Sequence, residues 1–452
     1  MTMKDRREFL KVGAGAFALL AALSLTCTAA AAQRRFIITL NYDGTSAADV
    51  PTAVRISPEA IPGFRYADTA GGTDFEIVDE TGNLLPYEID TWNPDGESLI
   101  WVKVPNFVNG AKFAVYYGRT TKDMTANASN VWSNYIGVWH MNGLDASGKY
   151  PNSAGDVRFN AEVSSFSRTG ETGMFGQSVL VYTNAFHGTK GTAAEKEKGG
   201  VFIPDGGNLD LSEHFMLSGW FNHKTIAATE SGNDSKAFRW ENIFCKRPHP
   251  EDDDPAGFGF RMGENSDSPS KMQFFQESNY VTPTWNDCLK NDQWYHFSIV
   301  SGESIVSGES SSKVLINGQS RVVRQHTDKI TDNDGPLVVG NVQTAYLDNK
   351  DGGDRAWGGC ADEIRLFRGA PSSAYIAAEY ASMSNENIFS YGEVSISEKP
   401  SVSSISETPS TGPSRARATV WKHGSTHATS PAIPQKMTAR SPPATAICSL
   451  PL

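Results

Sequence analysis

Short runs in which apolar and polar side chains alternate recur from residue 36 to residue 367, each ended by Gly, Asn, Asp or Pro. A period of two with this punctuation predicts strands and turns rather than helices. The first group comprises residues 36–40, 53–56, 73–79, 84–90, 99–105 and 112–118. Glu80-Thr81-Gly82-Asn83 separates the third run from the fourth and has the composition of a tight turn, so a hairpin is expected there. Residues 121–134 are rich in Asn, Ser and Thr and read as a linker. From Gly137-Val138-Trp139-His140-Met141 the runs resume, and they continue to residues 358–367. A stretch at 372–383, with Ala374, Ile376, Ala377 and Tyr380, predicts one helix after the last strand. From 393 to 452 Ser, Thr, Pro, Ala and Arg dominate and periodicity is lost, the composition of a disordered tail. The expected class is all-β, with β-sandwich domains at 33–120 and 135–392 ahead of that tail.

The last strand run, Gly358-Gly359-Cys360-Ala361-Asp362-Glu363-Ile364-Arg365-Leu366-Phe367, carries the most information. Strict alternation places Ala361, Glu363, Arg365 and Phe367 on one face and Cys360, Asp362, Ile364 and Leu366 on the other. Asp362 thus shares a face with apolar residues, where a carboxylate is costly unless hydrogen-bonded or holding a cation.

This run resembles the closing strand of the laminin-G/concanavalin-A-like jelly rolls, whose pattern is G-x-x-D-E-[IV]-R-[IL]. Phrases similar to the same family follow in order over 135–392: Gly137-Val138-Trp139, Phe215-Met216-Leu217-Ser218-Gly219-Trp220-Phe221, Gln293-Trp294-Tyr295-His296-Phe297, Val314-Leu315-Ile316-Asn317-Gly318 and Leu337-Val338-Val339-Gly340. The resemblance implies two antiparallel sheets face to face. Earlier, Asp74-Phe75-x-Ile77-x-Asp79, Leu85-Pro86-Tyr87-Glu88-Ile89, Ile100-Trp101-Val102-Lys103-Val104-Pro105 and Tyr116-Tyr117-Gly118 look like family 2341 of domains of unknown function. That likeness implies architecture and no chemistry.

Composition adds an address. Asp5-Arg6-Arg7-Glu8-Phe9-Leu10-Lys11, an apolar run at 12–25 and Ala29 to Ala32 resemble a twin-arginine export signal spanning 1–32. The run is too short for a comfortable span of ~20 residues. No second long apolar run follows, so the mature chain is expected to be exported to periplasm, cell surface or medium without a membrane span. The formal net charge is −11, and both the leader and residues 401–452 carry more basic than acidic residues, so the body between is more acidic still. Nucleic acid is excluded as a partner on that ground. Cys245, Cys288, Cys360 and Cys448 lie beyond the leader with no zinc-like spacing, and an oxidising compartment leaves both disulfides and buried thiols open.

Candidate chemistry is sparse. No E-x-D-x-x-E strand, G-x-S-x-G elbow, H-E-x-x-H pair or phosphate loop is present. Trp294 and His296 form a W-x-H pattern, and we read His296 as a structural strand histidine. Tyr87, Glu88, Trp92 and Trp101 have the residue types of a sugar-binding face; we read Tyr87 and Trp101 as core and Glu88 as a solvated strand position. Tyr280, Trp285 and Trp357 stand in Gly-, Asn- or Pro-marked segments outside the strand phrases, so they are the expected exposed aromatics for stacking on a sugar. A structural Ca²⁺ is expected at Asp362, with Asp145 of the Asp-Ala-Ser-Gly turn as its neighbour. Ile299-Val300-Ser301-Gly302-Glu303-Ser304 is duplicated at once as residues 305–310, which lengthens a loop or slips a strand. These features rank a non-catalytic recognition protein for a glycan or a surface protein first. A spacer in a larger surface protein ranks second and a glycan-active enzyme third.

Overall fold

A computed structural model describes residues 33–396 apart from segments 119–126, 182–198, 207–208, 212–213, 225–240, 248–256, 263–271, 277–278, 282–289, 304–309, 327–329 and 344–355. The expected leader, the tail beyond 396, residues 121–126 of the linker, Trp285, Cys288 and Cys448 lie outside the described residues. The chain is all-β as expected, with every strand pairing antiparallel. Among the described residues no helix is long and apolar enough to cross a membrane.

The first sandwich sets Arg34–Leu40, Lys112–Tyr117 and Glu76–Asp79 in one sheet, and Ala47–Ile56, Ser98–Phe107 and Tyr87–Thr91 in the other. Phe36, Ile38, Phe75, Ile100, Val102 and Val115 fill the space between. The turn after Asp79 forms as expected: its carboxylate accepts bonds from Thr81 and Asn83, and Gly82 takes φ +90°. The expected hairpin does not form. Only a bridge between Val78 and Leu84 joins the two runs. Beyond Leu85 N–H, which bonds Ile77 O at 2.8 Å, the chain crosses to the opposite sheet, where Pro86 O accepts from Lys103 N–H at 3.0 Å.

Two eight-stranded sheets make the second sandwich, a jelly roll. Phe215, Leu217, Phe221, Phe244, Phe258, Phe297 and Leu366 interdigitate between them. Gly359–Arg368 lies inside its sheet, between Phe215–His223 on one side and Tyr135–Trp139 and Gln177–Leu180 on the other. The first copy of the duplicated hexapeptide extends the strand Trp294–Glu303; residues 304–309 lie outside the described set.

Strict alternation fails in Gly359–Arg368. Its pairing with Phe215–His223 shifts register between Ser218 and Trp220, and Glu363 adopts φ +51°. One extra residue changes the phase. Ala361, Ile364 and Leu366 therefore enter the core between the sheets, while Glu363, Arg365 and Phe367 turn outward. Ile364 is on the opposite side from Asp362, a correction to the expected face. Gly219 sits opposite the bulge because a Cβ there would meet Ile364 Cδ1 at 2.5 Å.

A further difference concerns the boundary at 392. The expected helix forms at Ser373–Ser384, capped by Ser372 Oγ, which accepts the Tyr375 N–H at 3.1 Å. After it the chain returns to the first sandwich. Phe389–Tyr391 and Ser395–Ile396 both pair with Arg34–Leu40. The two sandwiches thus belong to one compact unit. Short return strands carry too few residues for alternation to reveal them. Phe389 packs edge-on against Phe113 at 6.0 Å and is buried. Replacing it by Ala should lower stability in urea by about 3 kcal/mol, with strands of the first sandwich exchanging amide hydrogens faster; unchanged exchange there would show the return strands to be dispensable.

Candidate functional site

Between the sandwiches lies a buried charged cluster. Glu88 and Asp90 come from Tyr87–Thr91, Trp101 from Ser98–Phe107 beside it, Trp132 from the turn after the short helix Ala128–Val131, and His140 from the end of Tyr135–Trp139. Glu363 and Arg365 come from the bulged strand, and Glu379 from the helix Ser373–Ser384.

Arg365 is fully buried, its guanidinium carbon 4.3 Å from the Trp101 ring centroid and 4.9 Å from that of Trp132. It donates to Glu363 Oε2 at 2.8 Å and to Glu379 Oε1 at 2.7 Å. Tyr135 Oη donates to the same Glu379 oxygen at 2.6 Å. Glu363 shares the outward face of the strand with this cation and sits at φ +51°. A non-glycine residue at positive φ is strained by ~1–3 kcal/mol, and the ion pairs hold it there.

His140 sits over the other side of Glu363. Its Nδ1 lies 2.8 and 3.0 Å from the two Glu363 oxygens and 3.8 Å from Asp90 Oδ2, while Nε2 lies 3.3 Å from Glu88 Oε2. The ring stacks on Trp101 at 5.8 Å. Asp90 accepts from Trp101 Nε1 at 2.9 Å and from Asn142 Nδ2. Glu88 accepts from Ser153 Oγ at 2.7 Å and from Trp132 Nε1.

These surroundings set the protonation states. Burial alone would lower the His140 pKa, but Glu363, Asp90 and Glu88 hold it well above its ordinary value. Burial pushes Asp90 up to about 6 against the pull of His140. Burial also opposes ionisation of Glu88, yet His140 and the donated hydrogen bonds keep it below the usual carboxylate range. Two carboxylates two residues apart are thus driven in opposite directions.

A cavity of about 320 Å³ opens on this cluster, lined by Glu88, Asp90, His140, Asn142, Asp145 and Ser153, with exposed Gly143 and Leu144 among its walls. Oxygen acceptors and an amide face it; Trp101 and Trp132 lie fully buried and offer no ring face.

The residues expected at a binding face fare differently. Trp357 is in the core, 0 % exposed, with Nε1 donating to Cys360 O at 3.3 Å, so it cannot stack on a ligand. Tyr280 lies on the strand Asn279–Val281 opposite Phe275 rather than in a loop. Trp285 is outside the described residues.

The first and closing jelly-roll strands are neighbours, as the Ca²⁺ expectation required. Asp145, however, turns back on its own loop, accepting from Ser147 N–H and Oγ, Lys149 N–H and Asn160 Nδ2. Asp362 accepts backbone N–H bonds from Phe175 at 3.0 Å and Glu363 at 2.8 Å, and burial raises its pKa well above the ordinary value. These two backbone N–H bonds answer part of the cost of placing a carboxyl group there. Cys245 and Cys360 are free buried thiols.

Glu88 differs from the solvated position expected of it. The spacing Glu88-x-Asp90 was a readable signal, because residues two apart on a strand share a face. Nothing local pointed to Glu363, 223 residues from His140.

Residues 71–142 match DUF2341, a domain of unknown function. The match takes in Glu88, Asp90, Trp101, Trp132 and His140 and excludes Glu363, Arg365 and Glu379. No curated protein matches the chain. Among solved structures, domain 4 of AbnA, an extracellular arabinanase of Geobacillus stearothermophilus seen with arabinotriose, is 14% identical at a TM-score of 0.35, covering 55% of this chain and 98% of its own. The binding domain of Paraclostridial Mosquitocidal Protein 1 is 13% identical at 0.38, covering 56% and 53%. The receptor-binding domain of botulinum neurotoxin type G is 10% identical at 0.36, covering 55% and 51%. This chain spans about half the length of the two toxin chains.

Arg365→Met should destabilise by about 3–5 kcal/mol, because it leaves buried carboxylates unpaired. Adding Glu379→Gln should recover part of the loss in a urea titration, and a deeper loss would contradict the pairing.

His296 is buried between Trp220 and Tyr380, with ring centroids at 5.1 and 5.7 Å, and its Nε2 has no partner among the described residues. Burial lowers its pKa to about 3, and Arg365 adds to this. A base harder to protonate when folded contributes stability above its unfolded pKa of ~6.5 and loses it as pH falls. Between pH 7 and 5 the wild type should therefore lose about 2 kcal/mol more than His296→Phe; equal slopes would contradict the assignment.

Proposed function

We propose that this chain is an exported, non-catalytic recognition protein that takes a polyhydroxylated ligand, a glycan, in the cavity where the two sandwiches meet. The cavity's lining carries the reading: ionised Glu88, Asn142 and Ser153 present fixed acceptors and donors to one space of about 320 Å³, enough for a sugar unit or two but not for a folded domain. Hydroxyl groups satisfy such a lining by accepting from amides and donating to carboxylates. Binding here depends on hydrogen bonds rather than ring stacking, since the cluster's tryptophans are covered. The twin-arginine-like leader supports export.

A glycan array with the full chain tests this directly. Reproducible binding competed by the free sugar is expected, and Leu144→Trp at the exposed rim should weaken it at least ~10-fold, or about 1.4 kcal/mol. Binding that this substitution leaves intact would move the site elsewhere. A blank array with self-association would favour a spacer role, and sugar released from bound glycan would make the cavity catalytic.

A further inference from the structure

Asp90, His140 and Glu363 place one ligand atom each within 4.8 Å of one another. Nδ1 of His140 is 2.8 Å from Glu363 Oε1 and 3.8 Å from Asp90 Oδ2. Donors bound to one small divalent ion at bonds of ~2.1 Å stand ~3.0–3.4 Å apart, so these separations bracket what a metal requires. We infer that these three residues form a binding site for a divalent first-row transition ion, at the inner end of the cavity.

The surroundings of the three donors support this independently of their spacing. Metal-bound imidazoles almost always donate their second ring N–H to a carboxylate, a backbone carbonyl or water, which fixes the tautomer. Here Nε2 faces Glu88 Oε2 at 3.3 Å, which leaves Nδ1 directed at Asp90 and Glu363. Each carboxylate has its own outer partner: Trp101 Nε1 donates to Asp90 Oδ2 at 2.9 Å, and Arg365 Nη2 to Glu363 Oε2 at 2.8 Å. Glu363 Oε1 meets only His140 among the hydrogen bonds described. Glu363, at positive φ in the bulge, keeps that oxygen 2.8 Å from Nδ1. Asp90 and His140 also line the cavity, giving an ion a path inward and water a place to complete its coordination.

One nitrogen with two carboxylates favours Zn²⁺, Mn²⁺ or a similar ion over Ca²⁺, which prefers six to eight oxygens. On binding, the ion takes the place of the Nδ1 proton, which passes to solvent. The site is separate in chemistry from the Ca²⁺ expected at Asp362, and metal uptake is separable from glycan binding.

The test uses the full chain stripped with chelator and titrated with Zn²⁺, with Co²⁺ as the spectroscopic probe. One equivalent should be retained through gel filtration, with a visible Co²⁺ absorption of nitrogen–oxygen ligation and a raised melting midpoint. Asp90→Asn and Glu363→Gln should each weaken uptake ~100-fold or more, while Asp145→Asn, altering another carboxylate of the same cavity, should leave it unchanged. If Glu363→Gln does not fold, Asp90→Asn and the wild-type chain decide. No retained ion, equal affinity in Asp90→Asn, or loss in Asp145→Asn overturns the site. Repeating the glycan array on the metal-free chain keeps the two readings apart: binding there without metal uptake refutes only the metal site.

Discussion

The structure depends on the burial of one positive charge. Arg365 is fully buried and lies between two indole rings, so its guanidinium is tolerable only while Glu363 and Glu379 stay within hydrogen-bond reach. The partners come from four segments: Trp101 from the first sandwich, Trp132 from the end of the linker, Glu363 from the jelly roll and Glu379 from the helix that follows. None of these can withdraw without stranding a buried charge. The junction is therefore specified by pairing as well as by the apolar contacts of Val131, Tyr135, Val138 and Phe175 around it.

Seen this way, the unbroken burial of Phe215–His223 has a simple origin. One face meets the opposite sheet of the jelly roll. The other is covered by the helix, with Met216 beside Ile376 and Trp220 stacked on Tyr380 at 5.8 Å. The helix also packs its Tyr375 and Ala378 into the core of the first sandwich. A twelve-residue element thus cements both bodies.

Most strands were legible from alternation and turn residues, because each sheet has one face in a core and the period of two is local. What escaped was set by distance or by single-residue irregularity. A bulge at Glu363 changes the phase of a strand without changing its composition, so the faces of Asp362 and Ile364 were misassigned. Phe389–Tyr391 is too short to show a period. Trp357 follows glycine-rich sequence that resembles a surface loop, yet its ring packs edge-on against Phe221 at 5.8 Å. Glu88 was read as solvated, since its covering residues, Trp132 and His140, lie in the linker and the next domain. Side chains brought together across two hundred residues leave no mark in either local pattern.

The pairing of Arg34–Leu40 with Phe389–Tyr391 and Ser395–Ile396 has a consequence for the order of events during synthesis. A ribosome delivers the N-terminal strand first and its partners after more than three hundred further residues. Until then one margin of the sheet presents bare N–H and C=O groups, a template for pairing with another nascent copy. Completion of the first body is thus timed by the last, and a chain interrupted anywhere in the jelly roll leaves that margin uncovered.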